Sequence, residues 1–193
     1  SQDPEGWVCD VNPNIVVTGP AKPAWGDAFM VVPWEMYRFY GDKRILELYT
    51  ENYQAWVDYM QRKSDGELYI YDNDGWGGYA DWIAVVESDP KPISAAYYYL
   101  STKLMATFGT LIDRDDIAAA YNERAEAIRA AFIKRYFDEA AANYPGGTQT
   151  AMLLPLNFGL TEAEYKEAVA ANLAKDVEDR GKHPSTGFLG TKY

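Results

Sequence analysis

The sequence predicts an all-α fold, about half of an (α/α)6 barrel or toroid built from helical hairpins, and three observations carry that prediction. Apolar residues recur at helical spacing in six successive stretches. The stretches pair off through turns containing Gly, Asp or Asn, and the odd-numbered members open with longer loops. A complete ring of six hairpins needs roughly twice the 193 residues present, at about ten to fourteen residues per helix plus loops. The unequal spacing of the hairpins disfavours a short-period solenoid.

Residues 1–23 read as an extended loop, because Pro4, Pro13, Pro20 and Pro23, with Gly6 and Gly19, leave no uninterrupted helical run. From Trp25, the residues Phe29, Met30, Val32, Met36, Tyr37 and Tyr40 define a first helix, kinked at Pro33 and stopped at Gly41. Asp42 caps a second helix bearing Ile45, Leu48, Tyr49, Trp56, Tyr59 and Met60, which ends near Lys63 and completes the first hairpin. Residues 67–89 break the pattern with glycines among aromatics and read as loop or short strand. Ser94 opens a third helix with Tyr97, Leu100, Leu104, Phe108 and Leu111, and after a break near Asp113 a fourth carries Ile117, Tyr121, Ile128 and Phe132. Thr148 to Leu160 forms the fifth helix, and Thr161 with Glu164 makes a capping box for a sixth that stops at Gly181. Hairpins therefore occupy 24–181 and a closing loop occupies 182–193, the whole of 1–193 being one partial domain of a larger protein.

Composition narrows the function. A net charge of -11, with no basic run longer than Lys43-Arg44, argues against nucleic acid or an anionic membrane surface as partner. No apolar stretch approaches the roughly 20 residues that span a bilayer, and the N-terminus has neither the basic flank nor the apolar core of a signal peptide. The chain is expected to be soluble, with its compartment open between cytoplasm, periplasm and secretion. A lone Cys9 and a lone His183 exclude an intrachain disulfide, a cysteine-based zinc site and a histidine-rich metal site, so no cofactor or metal is called for. Asp72, Asn73, Asp74 and Gly75 resemble the start of a calcium loop, but Ile83 stands where its twelfth-position Glu belongs, and the segment reads as a turn.

Aromatic residues make up 15% of the chain, and two tryptophans each lie beside an aspartate: Trp25 with Asp27, and Asp81 with Trp82. An indole face suits the C–H side of a sugar ring, and a neighbouring carboxylate accepts hydrogen bonds from its hydroxyls. These four residues, with Trp76 as a further wall, are the candidate carbohydrate contacts.

Several stretches resemble the catalytic domain of the α-L-rhamnosidases of glycoside hydrolase family 78. Gly6-Trp7-Val8-Cys9-Asp10-Val11-Asn12-Pro13-Asn14 is similar to the loop before that family's toroid helix, with Cys9 where a proline is common. Pro23-Ala24-Trp25-Gly26-Asp27, leading to Val31-Val32-Pro33-Trp34, is similar to its Pro-Ala-Trp-x-Asp helix. Tyr79-Ala80-Asp81-Trp82 resembles its Tyr-Gly-Asp-Trp loop, with Ala80 in place of glycine. Gln149-Thr150-Ala151 and the closing phrase from His183 to Tyr193, with Thr186-Gly187-Phe188-Leu189-Gly190-Thr191, complete five segments in register.

The resemblance implies an (α/α)6 enzyme that hydrolyses terminal α-L-rhamnosyl linkages with inversion, and a rhamnose-containing oligosaccharide or glycoside as ligand. Inversion needs an acid and a base carboxyl roughly 6.5–9.5 Å apart. The family's acid motif, Asp-Glu-Arg-Leu-Gly-Trp, and its base fall outside the five segments, so no catalytic residue is assigned to this chain. Glu35, next to Trp34, reads as a helix-surface carboxylate. The expectation is a rhamnosidase fragment that binds sugar, is inactive alone, and self-associates through the flanks of a partial barrel. The alternatives are a piece of another (α/α)6 carbohydrate enzyme, in which Asp81 or another carboxylate of this chain would be catalytic, or a helical binding module without catalysis.

Overall fold

The computed structural model describes residues 2–15, 18–69 and 78–193, and among these the regular structure is helical throughout. Seven α-helices appear: α1 (Ala28–Tyr40), α2 (Arg44–Leu48), α3 (Thr50–Arg62), α4 (Pro90–Leu111), α5 (Asp115–Tyr136), α6 (Gln149–Phe158) and α7 (Lys166–Asp179). The all-α prediction holds. Among the described residues no helix is long and apolar enough to cross a membrane.

Four local expectations are corrected. The second helix is two, α2 and α3, because Tyr49 sits at φ -117, ψ 19 and interrupts the ladder. Asp42 lies one residue ahead of the α2 cap position, yet its Oδ1 accepts from the Arg44 N–H at 3.0 Å. α4 starts at Pro90 rather than Ser94. Prolines are tolerated in a first helical turn, where their missing N–H has no helical partner to lose. Asp89 accepts from the Lys91 N–H at 2.9 Å, while Ser94 lies inside the helix and donates its hydroxyl to the Pro90 carbonyl. The Thr161–Glu164 capping box does not form. A 3-10 turn, Ala163–Tyr165, precedes α7, and the Thr161 hydroxyl instead meets the Tyr144 hydroxyl at 2.9 Å.

The chain divides into two compact units, Ser1–Tyr69 with Tyr97–Ile128, and Ile70–Ala96 with Arg129–Tyr193, so α4 and α5 each contribute to both. In the first unit α1 meets α3 through Phe29 and Tyr53, whose ring centroids are 5.1 Å apart, and Tyr53 meets Phe108 of α4 at 5.4 Å. Met30, Leu46, Trp56 and Met105 complete this core, all wholly buried. Burial pushes the Tyr53 hydroxyl up to about 12, so it stays neutral. The loop before α1 is ordered by Asp10, which accepts from the Lys22 N–H at 2.7 Å and pairs with the Lys22 ammonium at 3.2 Å.

In the second unit Phe132 packs against Tyr144, with centroids 6.0 Å apart, and Phe137 bridges Tyr144 and Tyr165. α6 carries an N-cap bond from the Ala151 N–H to the Thr148 hydroxyl and ends at Gly159 in the left-handed conformation.

Candidate functional site

The two tryptophan–aspartate pairs fall in different units but share a local design. In each, a buried carboxylate sits beside a more exposed indole, and an alanine with positive φ lies just upstream.

In the first unit the segment from Pro23 to Asp27 winds into α1 as a series of turns. Ala24 adopts φ 72, in the left-handed region that costs an alanine roughly 1–2 kcal/mol. Asp27 holds it there: its Oδ2 accepts from the Ala24 N–H at 2.9 Å. Its Oδ1 accepts from the Ser101 hydroxyl at 2.6 Å and from the Trp56 indole N–H at 3.3 Å. Asp27 is 0% exposed, and burial pushes its carboxyl above the ordinary value, partly opposed by the bonds from Ser101, Ala24 and Trp56. Gly26 fits because a side chain there would press on Ala21, at 2.7 Å, and on the Trp56 ring, at 2.8 Å. Trp25, half-buried, then faces a cleft of about 510 Å³ that it shares with Cys9, Asn12, Phe29, Tyr49 and Asn52.

In the second unit Ala80 has φ 51 and Ile83 φ 61, so the Asp81-Trp82 loop is bracketed by two strained residues. Asp81 is 4% exposed. Its Oδ1 accepts from the N–H groups of Leu189, at 2.8 Å, and Gly190, at 3.1 Å. Its Oδ2 accepts from the Gly187 N–H at 2.6 Å and from the Thr150 hydroxyl. A carboxylate has about four acceptor sites, and all four are filled from within the protein. Gly187 lies so close that a Cβ there would strike backbone atoms of Asp81, Trp82 and Ala84. The Phe188 N–H completes the seam, donating to the Trp82 carbonyl at 2.8 Å. Trp82 is 48% exposed and borders an open cleft of about 420 Å³ with Tyr79, Glu87 and Ser88.

The first turn of α6 ties this region together. Thr148 bonds the Ser88 hydroxyl at 2.6 Å, Gln149 accepts from the Ser185 N–H at 2.8 Å, and Thr150 reaches Asp81. Gln149 also donates to Asp176 of α7 at 2.9 Å. Sequence reasoning singled out Gln149 and Thr150 as a motif without giving them a role, and it missed Ser101 and Trp56 as partners of Asp27.

Of the remaining candidates, Trp76 and the segment Asp72 to Gly75 lie outside the described residues. Glu35 pairs with Arg38 on the surface of α1 at 3.0 Å, in keeping with a helix-surface carboxylate. His183 is exposed, with its carbonyl near the Gln149 amide at 3.4 Å.

A helical-hairpin chain presenting two indoles, each backed by a buried carboxylate, has the makings of a carbohydrate-processing domain. The family model for the bacterial α-L-rhamnosidase six-hairpin glycosidase domain matches residues 1–193, and the chain belongs to that family. An α-L-rhamnosidase of Streptomyces avermitilis is 35% identical over 192 residues, covering 99% of this chain and 18% of that protein. One from Formosa agariphila is 27% identical over 199 residues, covering 99% of this chain and 21% of the relative. The chain thus spans about a fifth of the length of these curated relatives. Among solved structures, the Streptomyces avermitilis α-L-rhamnosidase complexed with L-rhamnose superposes with a TM-score of 0.92 at 35% identity, covering 99% of this chain and 18% of that one. The Dictyoglumus thermophilum α-L-rhamnosidase superposes at 0.89 with 26% identity, covering 100% and 22%. The family-78 resemblance and the helical-hairpin fold class both stand.

Proposed function

We propose that this chain supplies part of the sugar-binding wall of an inverting α-L-rhamnosidase, and that its ligand is the terminal rhamnosyl unit of an oligosaccharide or glycoside. The reading is carried by the match along the whole chain to a relative whose structure is complexed with L-rhamnose. Trp25 offers its indole face to the cleft of the first unit and Trp82 to that of the second, and each cleft is large enough for a pyranose. Each aspartate serves its own indole from behind, Asp27 by holding Ala24 at positive φ and Asp81 by gripping residues 187–190. The catalytic acid and base are assigned to segments of the parent protein other than this one.

Incubating the 193-residue chain with an aryl α-L-rhamnoside is expected to release no aglycone above the buffer rate, while L-rhamnose quenches or shifts tryptophan emission saturably and D-glucose does not. Robust hydrolysis would sink the claim that the essential carboxylates lie elsewhere. An equal response to both sugars would sink the assignment of rhamnose. The exposed stripe of Val32, Met36, Phe39 and Tyr40 on α1 supports self-association of the isolated chain.

A further inference from the structure

The Asp81 carboxylate is heavily engaged by the residues around it. Four donors converge on it, three of them backbone N–H groups from residues 187–190, more than a hundred positions along the chain. No acceptor site is left for a sugar hydroxyl. The same carboxylate belongs to the residue just before Trp82, and the segment it grips donates the Phe188 N–H to the Trp82 carbonyl. Phe188 stands 70% exposed beside Trp82, on a backbone gripped at both of its neighbours. Thr150, itself buried on the first turn of α6, anchors the arrangement to a helix.

From this geometry we infer that Asp81 and Thr150 are a pair of positioning residues for sugar binding: they clamp residues 187–190 against the Trp82 loop and so fix the direction in which the Trp82 indole faces the ligand. The inference rests on the sugar reading above and deepens it. It replaces a hydroxyl-binding role for Asp81 with an indirect one, and it gives Thr150 a function. A clamp explains three features at once. Gly187 leaves no room for a side chain, Ala80 and Ile83 are held at positive φ, and a carboxylate is kept almost wholly out of water.

The test uses Asp81→Asn, Thr150→Val and Thr150→Ser in the 193-residue chain, at a temperature where each is folded by far-UV circular dichroism. Two quantities are read: amide hydrogen exchange at Gly187, Leu189 and Gly190, and the calorimetric Kd for L-rhamnose. Both Asp81→Asn and Thr150→Val are expected to speed exchange at these amides and to weaken L-rhamnose binding, each by about tenfold or more, and Thr150→Ser to restore both. If Thr150→Val leaves the Kd unchanged while Asp81→Asn abolishes binding, Asp81 touches the sugar directly and the positioning role is overturned. Unchanged exchange in both Asp81→Asn and Thr150→Val overturns the clamp itself. Failure of the wild-type chain to bind L-rhamnose removes the sugar reading, and the positioning role with it, even where exchange responds as expected.

Discussion

Replacing Asp27 with alanine removes the acceptor for three donors inside a dry site. The Ala24 N–H, at 2.9 Å, and the Trp56 indole N–H, at 3.3 Å, have fixed directions and lose their partner outright. The Ser101 hydroxyl, at 2.6 Å, can rotate towards a carbonyl one turn back on α4. Each stranded buried donor costs about 1–3 kcal/mol, and relief of the buried charge offsets part of that, for a net loss of about 3 kcal/mol. For a chain of this size that lowers Tm by about 6–12 °C. Asp27→Asn keeps one oxygen for Trp56 and Ser101 but turns an amide nitrogen towards the Ala24 N–H, so it should lose about half as much. Urea unfolding followed by circular dichroism gives both values. The pH dependence follows from the raised carboxyl. A folded pKa above the unfolded one means that Asp27 adds most stability below the ordinary carboxylate range of about 4, and that this is lost as pH rises through the folded value. Since Asn does not titrate, the gap between wild type and Asp27→Asn should widen as pH falls towards that range. An Asp27→Ala chain within about 0.5 kcal/mol of wild type, the usual span of neutral surface changes, would refute this account of the first pair.

Three further outcomes are expected. Gly187→Ala places a Cβ against the backbone of Asp81, Trp82 and Ala84, none of which can rotate away; unfolding should show a loss of about 2–3 kcal/mol, and the Trp82 environment should change in near-UV circular dichroism. Ala80→Gly relieves a left-handed alanine and restores the glycine common in the family, raising stability by about 0.5–1 kcal/mol after the entropy of the added glycine is subtracted. Sedimentation velocity should show concentration-dependent association of the chain, and Phe39→Lys, at a residue 78% exposed on α1, should shift it towards monomer; a wild-type chain that is monomeric at high concentration would count against that surface.

Helical periodicity and turn residues were enough to read the fold class and the order of the helices, because both signals are local. The errors came where local signals competed. Pro90 and Pro92 look like loop residues until they are placed in a first turn, and Thr161 spends its hydroxyl on Tyr144 rather than on its own helix. Tyr49 carries no breaker chemistry, so the interruption between α2 and α3 has no mark in the sequence. Among the candidate residues, the sequence marks Trp25 with Asp27 and Asp81 with Trp82 as pairs, but not the partners of the two carboxylates. Asp27 reaches Ser101 across 74 positions and Asp81 reaches Gly190 across 109, and nothing in a single sequence encodes such pairings. The one available hint was the spacing of Gly187 and Gly190 in a phrase otherwise rich in Thr, Phe and Leu, where glycine implies that another backbone comes near.

The central claim, that Trp25 and Trp82 each offer an indole face to a rhamnosyl unit while the aspartates work from behind, is tested most directly by the indole N–H resonances of the six tryptophans during titration with L-rhamnose. The Trp25 and Trp82 signals should each move saturably. The Trp56 signal, held by Asp27 in the core, should stay in place, and D-glucose should move none of them. Static Trp25 and Trp82 signals at saturating L-rhamnose, or a shift at Trp56 instead, would contradict the account.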